Sequence, residues 1–235
     1  MNLHLLDTQA PQFPNPRHAA EESDGLLAVG GNLAPGTLID AYRQGIFPWF
    51  GDDDPILWWS PATRCVIRPQ HYHISKSLLK CLRRYPYEIT TDKAFDRVVE
   101  ACAAPRFEMG VAVCGTWITP EMMVAYSTLH TMGYAHSVEV WDHDELVGGV
   151  YGIASGAIFC GESMFSSVTN SSKMALAYLC KWLATNDFAL LDCQIINPHL
   201  LSVGAEPMTR HVYLDLLEIH RDQQRQWPSK LDIDW

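Results

Sequence analysis

Acids and amides set among apolar neighbours are where this sequence can do chemistry. Asp192 and Gln194 stand two residues apart in LLDCQII, a run that is otherwise apolar. Strand side chains alternate between faces, so this spacing puts the carboxylate and the amide on one face. Leu191, Cys193 and Ile195 then take the other. A carboxylate on an interior strand is costly unless it is hydrogen-bonded, either as a structural pair or as part of a site. Glu162, in FCGESMF, faces the same demand and needs a cation or a donor, which a cationic substrate group would supply. Trp49 lies in the tight turn GIFPWF, and Trp117 just precedes a helix. Indoles on loops are platforms for a nucleobase; alternatively Trp49, Trp58 and Trp59 form the core between two units. Lys76, Lys80, Arg83 and Arg84 crowd one helix face, either as a solvated surface or as an anchor for one RNA backbone.

Other chemistries fit less well. His71 and His73 alternate on one segment and Asp52–Asp54 form an acidic run, but neither has partners at zinc-ligand spacing. The serine of GESMF lacks the second small residue that lets a nucleophile elbow close, because Phe165 stands there. Cys160 or Cys193 could pair with His136 or His199, yet their apolar neighbours favour inert buried thiols. The glycines of LVGGVYGIASG suit bulges and close packing in a meander, since they do not stand between a strand and a helix start at phosphate-loop spacing. No Q/R-x-x-G-x-G/A stretch is present to hold the pyrophosphate of an acyl-CoA.

The elements that must position these residues are readable from punctuation and period. The first 18 residues are proline-rich and run extended over a surface. Pro35 and Gly45 bracket a short helix with Leu38, Ala41 and Tyr42 on its apolar face. A short strand surrounds Cys65–Ile67. HISKSLLKCLRR reads as a helix over 73–84 with Ile74, Leu78 and Leu82 on one face. A second helix runs over about 92–102. A third has Thr119 as its N-cap, Pro120 in its first turn, Met122, Tyr126 and Leu129 as its stripe, and Gly133 as its stop. HSVEVW, LVGGVYGIA and AIFCGES then form a β-meander. A helix over 171–185 follows, with Leu176, Leu179, Cys180 and Leu183 inward, then the strand ALLDCQI and a last helix near 210–219. That order makes an α+β protein. Composition places a boundary near Pro61, giving a small N-terminal α+β domain over 1–61 and a main domain over 62–235.

Composition narrows the function classes. In 235 residues, 48% are hydrophobic and 19% charged, enough for a sizeable core and unlike disordered, collagen-like or coiled-coil chains. Seventeen basic against 27 acidic residues leave a net charge of −10. Such a surface repels polyanions on average, which argues against coating DNA or anionic membranes. A Debye length of about 8–10 Å still lets one basic patch act alone. No run reaches membrane-spanning length, and MNLHLLDTQAPQFP lacks the features of a secretory signal. Seven cysteines with no C-x-x-C spacing fit reduced thiols in a cytoplasm.

The segments GLLAVGGNL, AYRQGIFPWF, PILWWSP, GTWIT, HSVEVW, LVGGVYG, FCGESMFS and DCQ, in that order, resemble the leucyl/phenylalanyl-tRNA–protein transferase family. The resemblance implies a small N-terminal domain packed on a GCN5-related acetyltransferase-like domain. It also implies transfer of Leu, Phe or, less readily, Met from aminoacyl-tRNA to the α-amine of proteins beginning with Arg or Lys, marking them for N-degron degradation. No cofactor, metal, DNA or membrane enters, and the expected protein is a cytoplasmic monomer. Carried over by motif, Trp49, Trp117 and Tyr126 bind the aminoacyl-adenosine. Val150, Phe159, Met164, Leu179, Leu183 and Leu191 form the side-chain pocket; Val150, Leu179 and Leu183 stand where the family often has Met or Phe. Asp192 and Gln194 are the catalytic pair beside Glu162, and Lys76, Lys80, Arg83 and Arg84 meet the tRNA backbone.

Aminolysis of an ester is downhill and needs no ATP. An α-amine with a pKa of about 7.7–8.0 is partly neutral near pH 7. A glutamine amide is not a base. The expectation is that the Gln194 carbonyl accepts a hydrogen bond from the amine while Asp192 fixes the Gln194 amide. Glu162 would pair with the acceptor's Arg, Lys or ammonium. A CoA-dependent N-acyltransferase and a non-catalytic tRNA-binding module are the competing readings.

Overall fold

Two sheets and the helices between them set the site. The structure, a computed structural model, describes residues 3–19, 24–108, 111–113, 116–231 and 233–235. Met109, Gly110, Cys114 and Gly115, in the stretch before Trp117, lie outside the described residues. The first sheet holds β1 (His4–Leu6), β2 (Leu26–Gly30), β3 (Phe47–Pro48) and β4 (Leu57–Trp59) in the order β1-β2-β4-β3. The proline-rich start is therefore not simply an extended surface run. His4–Leu6 pairs parallel to Ala28–Gly30, and Phe13 sets its ring edge-on to Trp58 at 4.8 Å. Between β2 and β3 lies α1 (Pro35–Arg43), where Pro35 occupies a first-turn position whose N–H would have no partner. Leu38, Ala41 and Tyr42 are its buried face.

The second sheet is α+β in its connections. Its strands are β5 (Thr63–Ile67), β6 (Glu88–Thr91), β9 (Ala135–Asp142), β10 (Glu145–Ser155), β11 (Ile158–Ser166), β12 (Leu190–Gln194) and β13 (Glu206–Thr209). They run in the order β13-β5-β12-β11-β10-β9-β6. A separate ribbon is β7 (Arg106–Glu108) with β8 (Val111–Val113). The helices are α2 (Lys76–Arg84), α3 (Phe95–Ala103), α4 (Pro120–Thr131), α5 (Ser171–Thr185), α6 (Pro198–Ser202) and α7 (Arg210–His220). Strands β9, β10 and β11 form the antiparallel meander; α5 then returns the chain so that β12 lies parallel to β11.

Alternation along β10 divides the core between the faces. Val150 packs with α5 and with Leu78 and Leu82 of α2, while Tyr151 and Ile153 join α1, α3 and α4. That second cluster also contains Ala28, Phe47 and Trp58, so the small sheet shares a continuous apolar core with the large one. The expected helix over 73–84 begins only at Lys76. Ser75 is its N-cap and its Oγ accepts the Leu78 N–H at 3.2 Å, which leaves Ile74 ahead of the helix. Among the described residues no helix is long and apolar enough to cross a membrane.

Candidate active site

The site forms where two parallel strands part. Pairing of β11 with β12 ends at Cys160 and Asp192; beyond it β11 continues on β10, and β12 on β5. Two residues past the last pair, Glu162 and Gln194 meet across the opening, Gln194 Nε2 donating to Glu162 Oε1 at 3.1 Å. Gln194 reaches this place through an irregular backbone. Its φ is +55°, and the register with β5 slips between Asp192 and Gln194, leaving Cys193 as the extra residue of a bulge.

The bulge overturns the facing expected from strict alternation, and the contacts of Asp192 differ from those the mechanism expected. Leu191 and Cys193, expected on the face opposite Gln194, border the same cleft as it does. Asp192 also does not hold the Gln194 side chain. Its carboxylate is fully buried and accepts four hydrogen bonds: Arg64 Nε at 2.9 Å, Arg64 Nη2 at 2.7 Å, Tyr213 OH at 2.9 Å and the Gln194 backbone N–H at 3.0 Å. The Gln194 amide is fixed by Glu162 instead, and among the described residues its Oε1 has no hydrogen-bond partner.

Glu162 is the group at this site poised to exchange a proton near neutrality. Burial pushes its pKa up to about 7 and nearby Asp192 adds to the rise, while hydrogen bonds from Tyr126 and Tyr42 and the charge of Arg64 oppose it. Tyr126 OH donates to Glu162 Oε2 at 2.9 Å and lies 3.0 Å from Tyr42 OH. Tyr126, expected at the adenosine, here holds Glu162 through its hydroxyl. It is fully buried in the inward stripe of α4 and borders neither hollow of the cleft, where it supports Glu162 from below.

Those two hollows share a wall made of Trp117, Glu162, Cys193, Gln194 and Asn197. One, of about 310 Å³, is completed by Phe47, Pro48, Trp49 and Ile195. The other, of about 280 Å³, is apolar at its far side, with Val150, Met164, Leu176, Leu191 and Leu200. Of the expected pocket residues, Val150, Met164 and Leu191 are there, and Phe159, Leu179 and Leu183 are not. Leu176 is the α5 residue that reaches the cleft. At about 1.5 Å rise per residue, Leu179 and Leu183 lie roughly 4.5 and 10 Å farther along the helix, inside the core. Phe159 belongs to the paired part of β11 and sets its ring against Trp227 at 5.1 Å.

The tryptophans divide between the two roles left open. Trp58 is buried, its Nε1 donating to Gly30 O at 2.9 Å. Trp59 braces the turn, with Nε1 donating to Trp49 O at 2.7 Å and its ring edge-on to Trp49 at 5.8 Å. Trp49 itself is 43% exposed on the cleft. Lys76, Lys80, Arg83 and Arg84 are exposed on the outer face of α2 and border neither hollow.

Sequence reasoning missed Arg64, Tyr213, Leu176 and Leu200. Arg64 did leave a signal, a lone charge in the strand TRCVI. The cysteine-nucleophile reading has no support, since burial pushes the Cys160 thiol up, and a hydrogen bond with Cys65 followed by burial does the same for Cys193. Among the described residues, Asp92, His130 and His136 are the group able to hold a metal. Their atoms already bond one another and the backbone, with His136 Nδ1 2.8 Å from Asp92 Oδ2 and His130 Nδ1 2.8 Å from Ala135 O, and they border neither hollow.

Comparison with known proteins gives a consistent result. Residues 66–218 match a model described as leucyl/phenylalanyl-tRNA protein transferase, and residues 31–62 one described as its N-terminal domain. A protein of Shewanella woodyi named leucyl/phenylalanyl-tRNA–protein transferase is 50% identical over 94% of this chain and 92% of its own. One of the same name from Klebsiella pneumoniae is 47% identical over 98% of both chains. A third, from Azoarcus, is 52% identical over 90% of this chain and 88% of its own. Among solved structures, a conserved protein of Staphylococcus epidermidis aligns over 78% of this chain and 68% of its own with a TM-score of 0.39 and 12% identity, too slight a likeness to carry an argument.

Proposed function

The chain belongs to the leucyl/phenylalanyl-tRNA–protein transferase family, and from that membership we propose that its cleft joins the amino acid of a charged tRNA to the α-amine of a protein beginning with Arg or Lys. Leucyl- and phenylalanyl-tRNA are the main donors, methionyl-tRNA a weaker one, and the products enter N-degron degradation. Charged tRNA is a cytoplasmic species, so the reaction belongs there. Residues 1–61 form the N-terminal domain in this reading, and 62–235 the catalytic one.

The observation that carries the reading is the shared wall. Glu162 and Gln194 stand between an indole-lined hollow and an apolar one. Trp49 and Trp117 stack the terminal adenosine, and the apolar hollow takes the Leu or Phe side chain, so the ester carbonyl lies at the wall. Gln194 Oε1 accepts a hydrogen bond from the incoming amine and aims its lone pair. As the C–N bond forms and the bond to the 3′-oxygen breaks, one proton must pass from the amine to that oxygen. Glu162 holds it in transit, since its pKa of about 7 lets it both accept and return a proton. Positioning supplies much of the rest, with a ceiling of about 7–11 kcal/mol.

The test mixes purified protein with leucyl-tRNA and a peptide beginning with Arg, against a peptide beginning with Ala. Transfer to the first and not the second is expected; equal transfer to both, or none, overturns the reading. One methylene in an apolar pocket is worth about 1–3 kcal/mol, so the pocket separates Leu from Met only weakly. Leu200→Phe, which narrows the hollow, is expected to lower kcat/KM for phenylalanyl-tRNA roughly tenfold more than for leucyl-tRNA. Changing Lys76, Lys80, Arg83 and Arg84 together to Gln is expected to weaken leucyl-tRNA binding roughly 10- to 100-fold near physiological salt. The salt dependence should flatten by about three in log–log slope. Transfer from a minimal aminoacyl-adenosine donor should be untouched; an equal loss there would remove α2 from tRNA binding.

A further inference from the structure

Arg64 connects two parts of the cleft that are far apart in sequence. It is buried on β5, and each of the three guanidinium nitrogens has a hydrogen-bond partner. Nε and Nη2 grip the Asp192 carboxylate, Nη1 donates to Gly45 O at 3.1 Å, and the group lies 4.8 Å from the Phe47 ring and 4.5 Å from the Tyr213 ring. Gly45 has φ +74°, and a Cβ there would stand 2.6 Å from Leu214 Cδ2, so the turn comes unusually close to α7. From Gly45 the chain runs directly through Phe47 and Pro48 to Trp49. From Asp192 the hydrogen bonds run to the Gln194 N–H, and from the Gln194 amide to Glu162.

We infer that Arg64, with Tyr213 as its brace, is a positioning residue that holds the Trp49 turn in register with Gln194 and Glu162. The inference rests on the reading of the cleft given above. A buried ion pair by itself is weak evidence of stabilisation, because desolvation offsets much of the attraction. What the pair supplies here is geometry. A planar fork can satisfy both carboxylate oxygens and a backbone carbonyl at once, and a lysine ammonium cannot reproduce that plane. Tyr213 OH takes the remaining position on Asp192 Oδ2 while its ring lies against the guanidinium. With its four donors in place, Asp192 cannot turn, and the left-handed backbone at Gln194 is pinned through its N–H.

Two conservative variants test this. Tyr213→Phe keeps the ring and removes one donor; Arg64→Lys keeps the charge and removes the fork. In single-turnover transfer of Leu to an Arg-initial peptide, Tyr213→Phe is expected to lower the rate roughly tenfold with KM for leucyl-tRNA unchanged. Arg64→Lys should lower it about a hundredfold, the size of loss a 1 Å misplacement can cause, and also raise KM as the Trp49 turn loosens. Backbone hydrogen exchange should speed up over residues 193–196 in Tyr213→Phe, and over both 46–50 and 193–196 in Arg64→Lys. A merely structural role would lower the melting temperature while leaving the rate of the folded enzyme and the local exchange unchanged, and that result overturns the inference. If Arg64→Lys does not fold, Tyr213→Phe decides alone. Absence of transfer by the parent protein would count against the proposed function, while the exchange pattern would still judge the coupling.

Discussion

Asp192→Asn is expected to lower the stability of the protein by about 3–5 kcal/mol and to reduce transfer to one per cent or less. The carboxylate is fully buried and its four hydrogen-bond donors include both arms of Arg64. An asparagine amide offers one acceptor oxygen and turns its NH₂ toward a donor, so at least one of Arg64, Tyr213 and the Gln194 N–H loses its partner. The neutral side chain also strands a buried guanidinium, and removing one member of a buried pair costs more than the pair itself contributes. Urea unfolding with an unchanged slope would read the stability loss. A second variant separates stability from function. Replacing the pair together, Arg64→Met with Asp192→Leu, is expected to recover only part of the lost stability: the two buried charges leave together, but Tyr213 OH, the Gln194 N–H and Gly45 O lose their partners. It should not recover transfer, because nothing then pins Gln194. A loss under about 1 kcal/mol in Asp192→Asn would mean that the carboxylate is not the keystone described here.

Much of the scaffold behind this keystone is legible in the amino-acid order. The meander, the helix capped by Thr119 and the inward face of α5 follow from period and punctuation, because each is decided within about a dozen residues. Family motifs likewise singled out Glu162, Gln194, Trp49 and Trp117, which the structure brings to one cleft. Legibility fails where the backbone leaves the regular period or where the partner is distant in sequence. A single bulged residue at Cys193 is enough to bring Leu191, Cys193 and Gln194 to the same opening, which alternation forbids. Tyr126 sits in a stripe that correctly reads as apolar and inward, and that same burial places it behind Glu162, away from both hollows. Leu179 and Leu183 face the right side of α5 but lie too far along its axis. Arg64 and Asp192 are 128 positions apart, so only the cost of burying each one hints that they need each other.

Glu162→Gln is expected to produce the largest loss of chemistry with the least loss of fold, and its signature lies in the pH profile. In the parent enzyme, kcat/KM should climb through pH of about 7 as Glu162 loses its proton. It should climb further until the acceptor amine, with a pKa of about 7.7–8.0, is neutral. Glutamine keeps the shape but cannot hold a proton in transit, so the lower limb should vanish and the rate at pH 8 should fall roughly 10²- to 10³-fold. Near pH 5.5 the parent's own Glu162 is protonated, and the gap should narrow by more than about tenfold. Stability must move the opposite way. The folded-state pKa lies above the ordinary value of 4.5, so Glu162 favours the fold most while it is neutral, and that contribution is lost as pH rises from about 4.5 through about 7. Melting temperatures of the parent should therefore decline relative to Glu162→Gln across this window. If the variant keeps the same lower limb, the proton is carried by another group. If the limb vanishes but the stability difference stays flat with pH, Glu162 takes part in transfer without the raised affinity for a proton that burial gives it here.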